Sequence, residues 1–342
     1  MVKVLLYFEN EEMIKNSGIG RALRHQKQAL EIQGFEYTTN RNDTFDIAHV
    51  NTYNKKSYKL VKFCKKYNIP VVVHGHSTKE DFRHSFKGWQ FLQFFINRKL
   101  RKIYSIPDII VTPTNYSKKL IEGYNFVTCP VKAISNGIDL KQYKIENMTE
   151  DEIIKLKAEY NIKPEEKVVV GIGWYFERKG IHDFIETAKS MPNIKFIWFG
   201  QRLRALIPKK INKAVKNKPD NVILPGYVDS RVIAKFLHIS SCFFFPSYEE
   251  TEGIVLLEAM AAKAPVLVRD IGAFDYLTDG IDCYKATTNE GFKEAILKLI
   301  NMDTTDMTNK AYDIVKERDI HVVSEQLKEI YLGLLNNKKN KA

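Results

Sequence analysis

Short apolar runs rich in β-branched residues alternate along this chain with longer amphipathic stretches, and that alternation limits the possible folds more than any other feature. Residues 2–8 are followed by a helical pattern over 20–34, residues 46–50 by one near 57–67, and the run 71–74 comes next. Buried strands joined by helices are the sequence mark of βαβ units and a parallel sheet. The pattern stops after residues 133–135, and a charged segment of mostly helical propensity, 141–167, leads past Pro164 into a new apolar strand over 168–173. A second series follows, with a helix near 181–190, strands at 195–199, 222–224 and 242–245, a helix over 253–262 and a strand at 265–268. The chain of 342 residues is therefore expected to form two consecutive α/β domains facing a cleft. The expected divisions are residues 1–160, residues 161–320, and a C-terminal helix with a frayed tail over 321–342. In open α/β sheets ligands bind beyond the carboxyl ends of the strands.

Composition excludes several classes. With 44% hydrophobic and 12% aromatic residues the chain has the material for buried cores and is not of the disordered kind. No stretch of about 18 uncharged apolar residues is present, so no membrane span is expected. The start of the chain, where Lys3 and then Glu9, Glu11 and Glu12 interrupt the apolar run, is unlike a signal peptide, and the expected location is the cytoplasm. Cys64, Cys129, Cys242 and Cys283 are scattered without CxxC or histidine spacing, which argues against structural zinc and a disulfide framework. Residues 1–150 hold 24 Lys and Arg against 14 Asp and Glu, and the remainder 29 against 27, so the positive excess sits in the first half. Such a face attracts nucleic acid, anionic lipid or a phosphorylated substrate, or simply aids solubility.

The densest chemical signal lies in residues 243–270. A buried strand runs into Pro246 and Ser247, a loop carries Glu249, Glu250 and Glu252, and a helix opens at Gly253. Amides of Gly253, Ile254 and Val255 at that helix start, with the positive end of its dipole, suit a phosphate or a sugar oxygen. Glu250 and Glu258 are spaced so that both can reach a ligand lying over the helix N-terminus, and carboxylates accept from sugar and ribose hydroxyls. Acidic residues before a helix also serve as plain caps. Glu250 is expected to be an exposed acceptor, so that its replacement by Ala would cost little stability.

The string from 222 to 282, with Gly226-Tyr227, Pro246-Ser247, the Glu250 to Glu258 spacing, the run Leu257-Glu258-Ala259-Met260-Ala261 and Pro265-Val266, resembles family 4 of the retaining glycosyltransferases. The resemblance implies the GT-B architecture of two Rossmann-like parallel-sheet domains, with a C-terminal helix crossing back to the first. It implies that Glu250 binds the donor sugar hydroxyls, that Glu258 binds the nucleotide ribose, and that Gly253 and the next amides hold phosphate and sugar. Residues 171–180 are similar to the family's strand-to-loop motif, in which Lys179 would contact the diphosphate. The family usually has arginine where this chain has Trp174, and Arg178 is the candidate replacement. Positioned cations stabilise the charge that develops as a nucleotide departs. In the first domain, Gly18 and Gly20 stand where similar enzymes carry a glycine-rich loop beside phosphates and acceptor. His76, at a strand end with His74, is expected near the transferred sugar. Asn136 opens an Asn-Gly-Ile-Asp string like the family's motif at the cleft edge. No Asp-x-Asp occurs, in keeping with metal-independent transfer, and no cofactor beyond the donor is expected.

Residues 82–104 combine Trp89, Phe91, Leu92, Phe94, Phe95, Ile96, Leu100 and Ile103 with Arg83, Lys87, Arg98, Lys99, Arg101 and Lys102. This pattern suits the surface of an anionic bilayer, where each nearby basic residue adds about 1 kcal/mol, and it equally suits a core helix with a solvated basic face. A second basic run over 202–218, from Arg202 to Lys218 with Leu206, Ile207, Ile211 and Val215 interleaved, is a candidate for the same surface. Within the family, the wording of residues 18–21, 74–78, 179–180 and 249–253 is most similar to bacterial glycolipid synthases that add a second hexose to monoglucosyl-diacylglycerol. The expected activity is hexose transfer from UDP-glucose or UDP-galactose to such a glycolipid by a peripheral enzyme on the inner face of the membrane. The alternative acceptor is a polyprenyl-linked or soluble saccharide of capsule or wall synthesis. No nucleic-acid-binding pattern is present, and no protein partner is deducible.

Overall fold

A computed structural model describes residues 2–14, 17–83, 88–144, 148–201 and 207–339. Lys87 of the first basic stretch, and Arg202 and Leu206 of the second, lie outside the described residues. The chain divides into two compact units, one made of Met1–Phe82, Gln90–Asp139 and Arg318–Ala342, the other of Arg83–Trp89 and Leu140–Glu317.

The first unit runs through β1 (Lys3–Tyr7), a single turn α1 (Glu11–Ile14), α2 (Gly18–Ile32), β2 (Glu36–Thr38), β3 (Ile47–Val50), α3 (Lys55–Lys66), β4 (Val71–His74), α4 (Trp89–Tyr104), β5 (Ile109–Thr112), α5 (Asn115–Glu122) and β6 (Val131–Ala133). Its strands pair in the order β2-β1-β3-β4-β5-β6, all parallel. Both faces of this sheet are covered, which is why its strands read as continuous apolar runs. The alternation of side chains sorts them cleanly between the two layers. Val4, Leu6, Ile47, Val72 and Val111 pack with Leu23 and Leu30 of α2. Leu5, Tyr7, Ala48, Val71, Val73 and Ile110 pack with Leu60 and Val61 of α3 and with Leu100, Ile103 and Tyr104 of α4.

The second unit holds α6 (Glu150–Glu159), β7 (Val168–Ile172), α7 (Ile181–Lys189), β8 (Lys195–Phe199), α8 (Lys209–Lys216), β9 (Val222–Gly226), α9 (Ser230–Ile239), β10 (Cys242–Phe245), α10 (Ile254–Ala261), β11 (Val266–Arg269), β12 (Tyr284–Ala286), α11 (Asn289–Asn301) and α12 (Thr305–Lys316). The strand order is β12-β11-β10-β7-β8-β9, again parallel throughout. Phe184 anchors its core, with ring centroids 5.1 Å from Trp198, 5.3 Å from Phe196 and 5.7 Å from Phe244. The last helix, α13 (Ile320–Lys339), returns to the first unit, where Ile320, Val323, Leu327 and Tyr331 complete the layer beside α2.

Each sheet has one point where the strand order reverses, between β1 and β3 in the first and between β7 and β10 in the second. Loops leaving adjacent strands diverge there, and a crevice opens at their carboxyl ends. The segments singled out from the sequence leave those strands: residues 246–253 follow β10, and residues 173–180 follow β7. The second basic run departs from expectation. Ile207 and Ile211 are buried in the core of the second unit and Val215 packs against it, so the apolar side of α8 faces inward and offers nothing to a bilayer.

Candidate active site

In the second unit the two loops at the switch point meet on Glu250. The chain leaves β7, passes Gly173 and Trp174, and makes one tight turn at Glu177–Lys179 before Gly180 starts α7. Gly180 takes φ +71°, and a Cβ there would run into the carbonyl oxygen of Pro246, so only glycine lets the two loops approach so closely. The contact places Lys179 Nζ in an ion pair with Glu250 Oε1. Arg178 Nη1 lies 3.7 Å from Glu250 Oε2 and donates to the Glu249 carbonyl oxygen at 2.6 Å. Trp174 packs edge-on against Phe176 at 5.3 Å, and Arg178 sits at the carboxylate.

Glu250 is only 5% exposed, which replaces the expectation of an exposed acceptor. Burial pushes its carboxyl up, but Lys179 and Arg178 outweigh that and hold it below its ordinary value. It is therefore an anion at neutral pH, buried beside two cations, and truncation to Ala would strand both of them. Glu258 is buried on α10 at 1% exposure and Glu252 likewise. Gly253 precedes α10 with φ +80° and no side-chain cap, and a Cβ would come 2.9 Å from the Phe245 ring. The first amides of α10, at Ile254 and Val255, thus open a helix buried nearly all round, where its dipole is poorly screened.

The loop carrying Glu250 is braced from behind by groups that sequence reading missed. Arg269, at the end of β11, pairs with Asp183 at 2.6 Å, donates to the Pro246 carbonyl at 3.0 Å, and lies 3.8 Å from the Tyr248 ring centroid. These residues are far apart in sequence and share no motif.

In the first unit a cavity of about 210 Å³ lies at the switch point, lined among others by Glu9, Asn51, Asn54, His74, His76 and Tyr104. His49, next to last in β3, and His74, which ends β4, lie on the face covered by α2 and α13, and the rings of His49, His74 and His76 stack at 5.3 and 4.0 Å. Gln26 of α2 and Asn51 exchange both amide hydrogen bonds at 2.9 Å. His76 Nε2 lies 2.8 Å from Asn51 Oδ1, and His49 Nδ1 lies 2.7 Å from the Tyr331 hydroxyl. Of these residues only His74 and His76 stood out in the sequence. The signal that could have found His49 is a histidine inside an otherwise apolar strand. Gly18 begins α2, and the Gly20 amide donates to the capping Ser17 hydroxyl at 3.3 Å. Asn136 is buried, and its carbonyl meets His25 Nδ1 at 3.2 Å.

α4 is core toward its C-terminal end and exposed toward its N-terminal end. Leu100, Ile103 and Tyr104 are core, while Phe91, Phe94 and Phe95 are 83%, 67% and 60% exposed and Trp89 is half-buried. Arg98, Lys99, Arg101 and Lys102 are exposed beside them, Lys99 donating to Asn54 Oδ1 at 2.9 Å. No helix among the described residues is long and apolar enough to cross a membrane, and no group of three His, Cys, Asp or Glu among them could hold a metal.

The model for glycosyl transferases group 1 matches residues 152–318, and that for glycosyltransferase family 4 matches residues 18–142. The processive diacylglycerol alpha-glucosyltransferase of Acholeplasma laidlawii is 48% identical over 99% of this chain and 100% of its own length. The chain belongs to glycosyltransferase family 4. The alpha-galactosylglucosyldiacylglycerol synthase of Streptococcus pneumoniae is 26% identical over 94% of this glycosyltransferase and 86% of its own length. Among solved structures, Anabaena HepE in complex with UDP and glucose superposes with a TM-score of 0.78 at 16% identity, over 97% of this chain and all of that one. Sucrose-phosphate synthase of Thermosynechococcus elongatus gives 0.81 at 14%, over 98% and 100%. The fold of this glycosyltransferase is GT-B.

Its histidines make acid a stress on the first unit. Burial lowers His49 and His76 to about 3 and His74 well below its ordinary value; burial and the Arg21 charge lower His25 to about 4. The folded rings stay neutral while the unfolded chain binds protons once pH falls below about 6.5, so stability declines from there downward. Between pH 7 and pH 5 each ring is expected to withdraw about 1 to 2 kcal/mol. The urea midpoint at the two pH values checks this, and a flat response would contradict it.

Proposed function

We propose that this glycosyltransferase moves glucose from UDP-glucose to a diacylglycerol-based acceptor, adding hexose to monoglucosyl-diacylglycerol to give a diglycosyl lipid with retention of the donor's α-configuration. The observation that carries this reading is the 48% identity, over essentially the full length of both chains, to a diacylglycerol alpha-glucosyltransferase. UDP-galactose is the second candidate donor, in view of the galactosyl relative. The second unit would hold the donor, and the first the acceptor and the membrane.

In this reading the Lys179–Glu250 pair opens when donor binds. The diphosphate takes Lys179 and Arg178 together with the amides of Gly253, Ile254 and Val255, and Glu250 turns to the sugar hydroxyls. Glu258 takes the ribose, and Gly18 belongs to the donor side. His76 serves the transferred hexose, with Gly20 and Asn136 on the acceptor side. Two cations and a helix N-terminus are aimed at the charge of the departing nucleotide, which is how transfer proceeds without a metal. The exposed aromatic and basic surface of α4 supports peripheral binding to the cytoplasmic face of the membrane, through Trp89, Phe94, Phe95, Arg98, Lys99, Arg101 and Lys102.

The test is transfer of radiolabelled hexose from UDP-glucose and UDP-galactose, in parallel, to vesicles containing diacylglycerol or monoglucosyl-diacylglycerol, with EDTA present. A labelled glycolipid from one donor is expected. No lipid product from either would move the acceptor to the saccharides implied by the 23% match to the capsular glycosyltransferase CapM of Staphylococcus aureus. Glu250→Gln, which keeps the shape beside Lys179, should lower transfer at least 100-fold, about 2.7 kcal/mol in the barrier; wild-type rates would remove Glu250 from the site. Replacing Arg98, Lys99, Arg101 and Lys102 by Ser should weaken sedimentation with anionic vesicles at least tenfold. Unchanged sedimentation would remove α4 from the membrane surface.

A further inference from the structure

The polar network behind the first unit's cavity dictates where the proton sits on each ring. The Gln26 amide nitrogen donates to Asn51 Oδ1 at 2.9 Å and lies 3.0 Å from His74 Nδ1. With the Gln26 amide in this orientation its nitrogen is the donor, so His74 Nδ1 carries no proton and accepts. His49 Nε2, 3.1 Å from the same His74 Nδ1, must therefore be the protonated nitrogen of its own ring. A neutral imidazole has one such proton, which leaves His49 Nδ1 to accept from the Tyr331 hydroxyl at 2.7 Å. Asn51 Oδ1 takes His76 Nε2–H at 2.8 Å in the same way.

One group is left over. The neutral His74 ring must hold its proton on Nε2, and that nitrogen is buried with no hydrogen-bond partner, although the ring lines the cavity and is 4% exposed. A buried N–H without an acceptor is costly, and native structures keep few, each with a reason such as strain, a catalytic role or an ordered water. The cavity lining includes Glu9, Asn51, Asn54 and Ser77 and no Lys or Arg among the described residues, so it suits a neutral, hydroxyl-rich ligand rather than a phosphate.

We propose that Gln26 is a positioning residue: it fixes His74 as the Nε2–H tautomer, so that the cavity presents a hydrogen-bond donor to a hydroxyl oxygen of the hexose being handled there. Asn51 holds the Gln26 amide in the required orientation, and Tyr331, reaching in from α13, keeps His49 in the matching tautomer. The assignment of a hexose rests on the glycosyl-transfer reading; the tautomer does not.

The experiment uses the full chain labelled with 15N-histidine and a two-bond proton–nitrogen correlation spectrum, with the His74 signals identified by their loss in His74→Gln. Wild type is expected to show a protonated Nε2 and a bare Nδ1 on His74. Gln26→Glu replaces the donor by an acceptor and should move the proton to Nδ1, and Gln26→Met, which brings no charge, should leave a mixture of tautomers. Transfer assayed on the same samples should fall at least tenfold in kcat for Gln26→Glu, with no further loss when that change is added to His74→Gln. A wild-type His74 protonated on Nδ1 would overturn the proposal, even if neither Gln26 variant folds. So would an unmoved proton in both variants, or an equal loss of kcat with and without His74. A wild type that transfers no hexose to any acceptor would sink the functional reading alone, since the spectrum still decides the tautomer.

Discussion

A buried carboxylate beside two cations organises the second unit. Glu250 has left water, and an anion in that position is stable only while Lys179 and Arg178 stay within reach. That requirement fixes the distance between the loops leaving β7 and β10, which explains the glycine at 180, where any side chain would meet Pro246. It also explains the Arg269–Asp183 pair, which clamps the Pro246 carbonyl and stacks on Tyr248 so that the acidic loop cannot drift. The result is a preorganised array of one carboxylate and two cations, held in place before any ligand arrives.

The first unit meets the same topology with different chemistry. Its switch point, between β1 and β3, leads into a cavity backed by neutral groups: three stacked histidines, two amides and a tyrosine. Burial keeps the rings uncharged, so what they offer one another is direction of hydrogen bonding rather than charge. The last helix is part of that arrangement, since α13 supplies Tyr331 as well as the apolar residues that close the sheet.

Much of this was legible in the sequence because parallel strands covered on both faces leave an unbroken apolar run, and such runs as 71–74, 195–199 and 242–245 mark strands almost residue by residue. Glu250, Lys179 and Gly253 were legible because the loops that carry them follow those strands directly. His49, Gln26 and Asn51 were not, because Gln26 comes from α2 and the other two from the end of β3, and only the packing of that helix on the sheet brings them together. The Arg269–Asp183 pair joins β11 to α7 and has no local spacing to betray it. The burial of Glu250 was misjudged for a related reason, since a loop carboxylate reads as solvated unless the partner loop is known. For α4 the composition fitted both a core helix and a surface helix, and the molecule uses one half of it for each.

The central claim is that donor binding exchanges the Lys179–Glu250 pair for separate contacts to diphosphate and sugar. Calorimetric titration of wild type and Glu250→Gln with UDP and with UDP-glucose tests it directly. The account predicts that Glu250→Gln binds UDP as tightly as wild type or more tightly, because Lys179 is released, while the extra affinity that the glucosyl group gives wild type is lost. Equal weakening of both ligands in Glu250→Gln would contradict it, and would make the carboxylate a support for the loop rather than a receptor for the sugar.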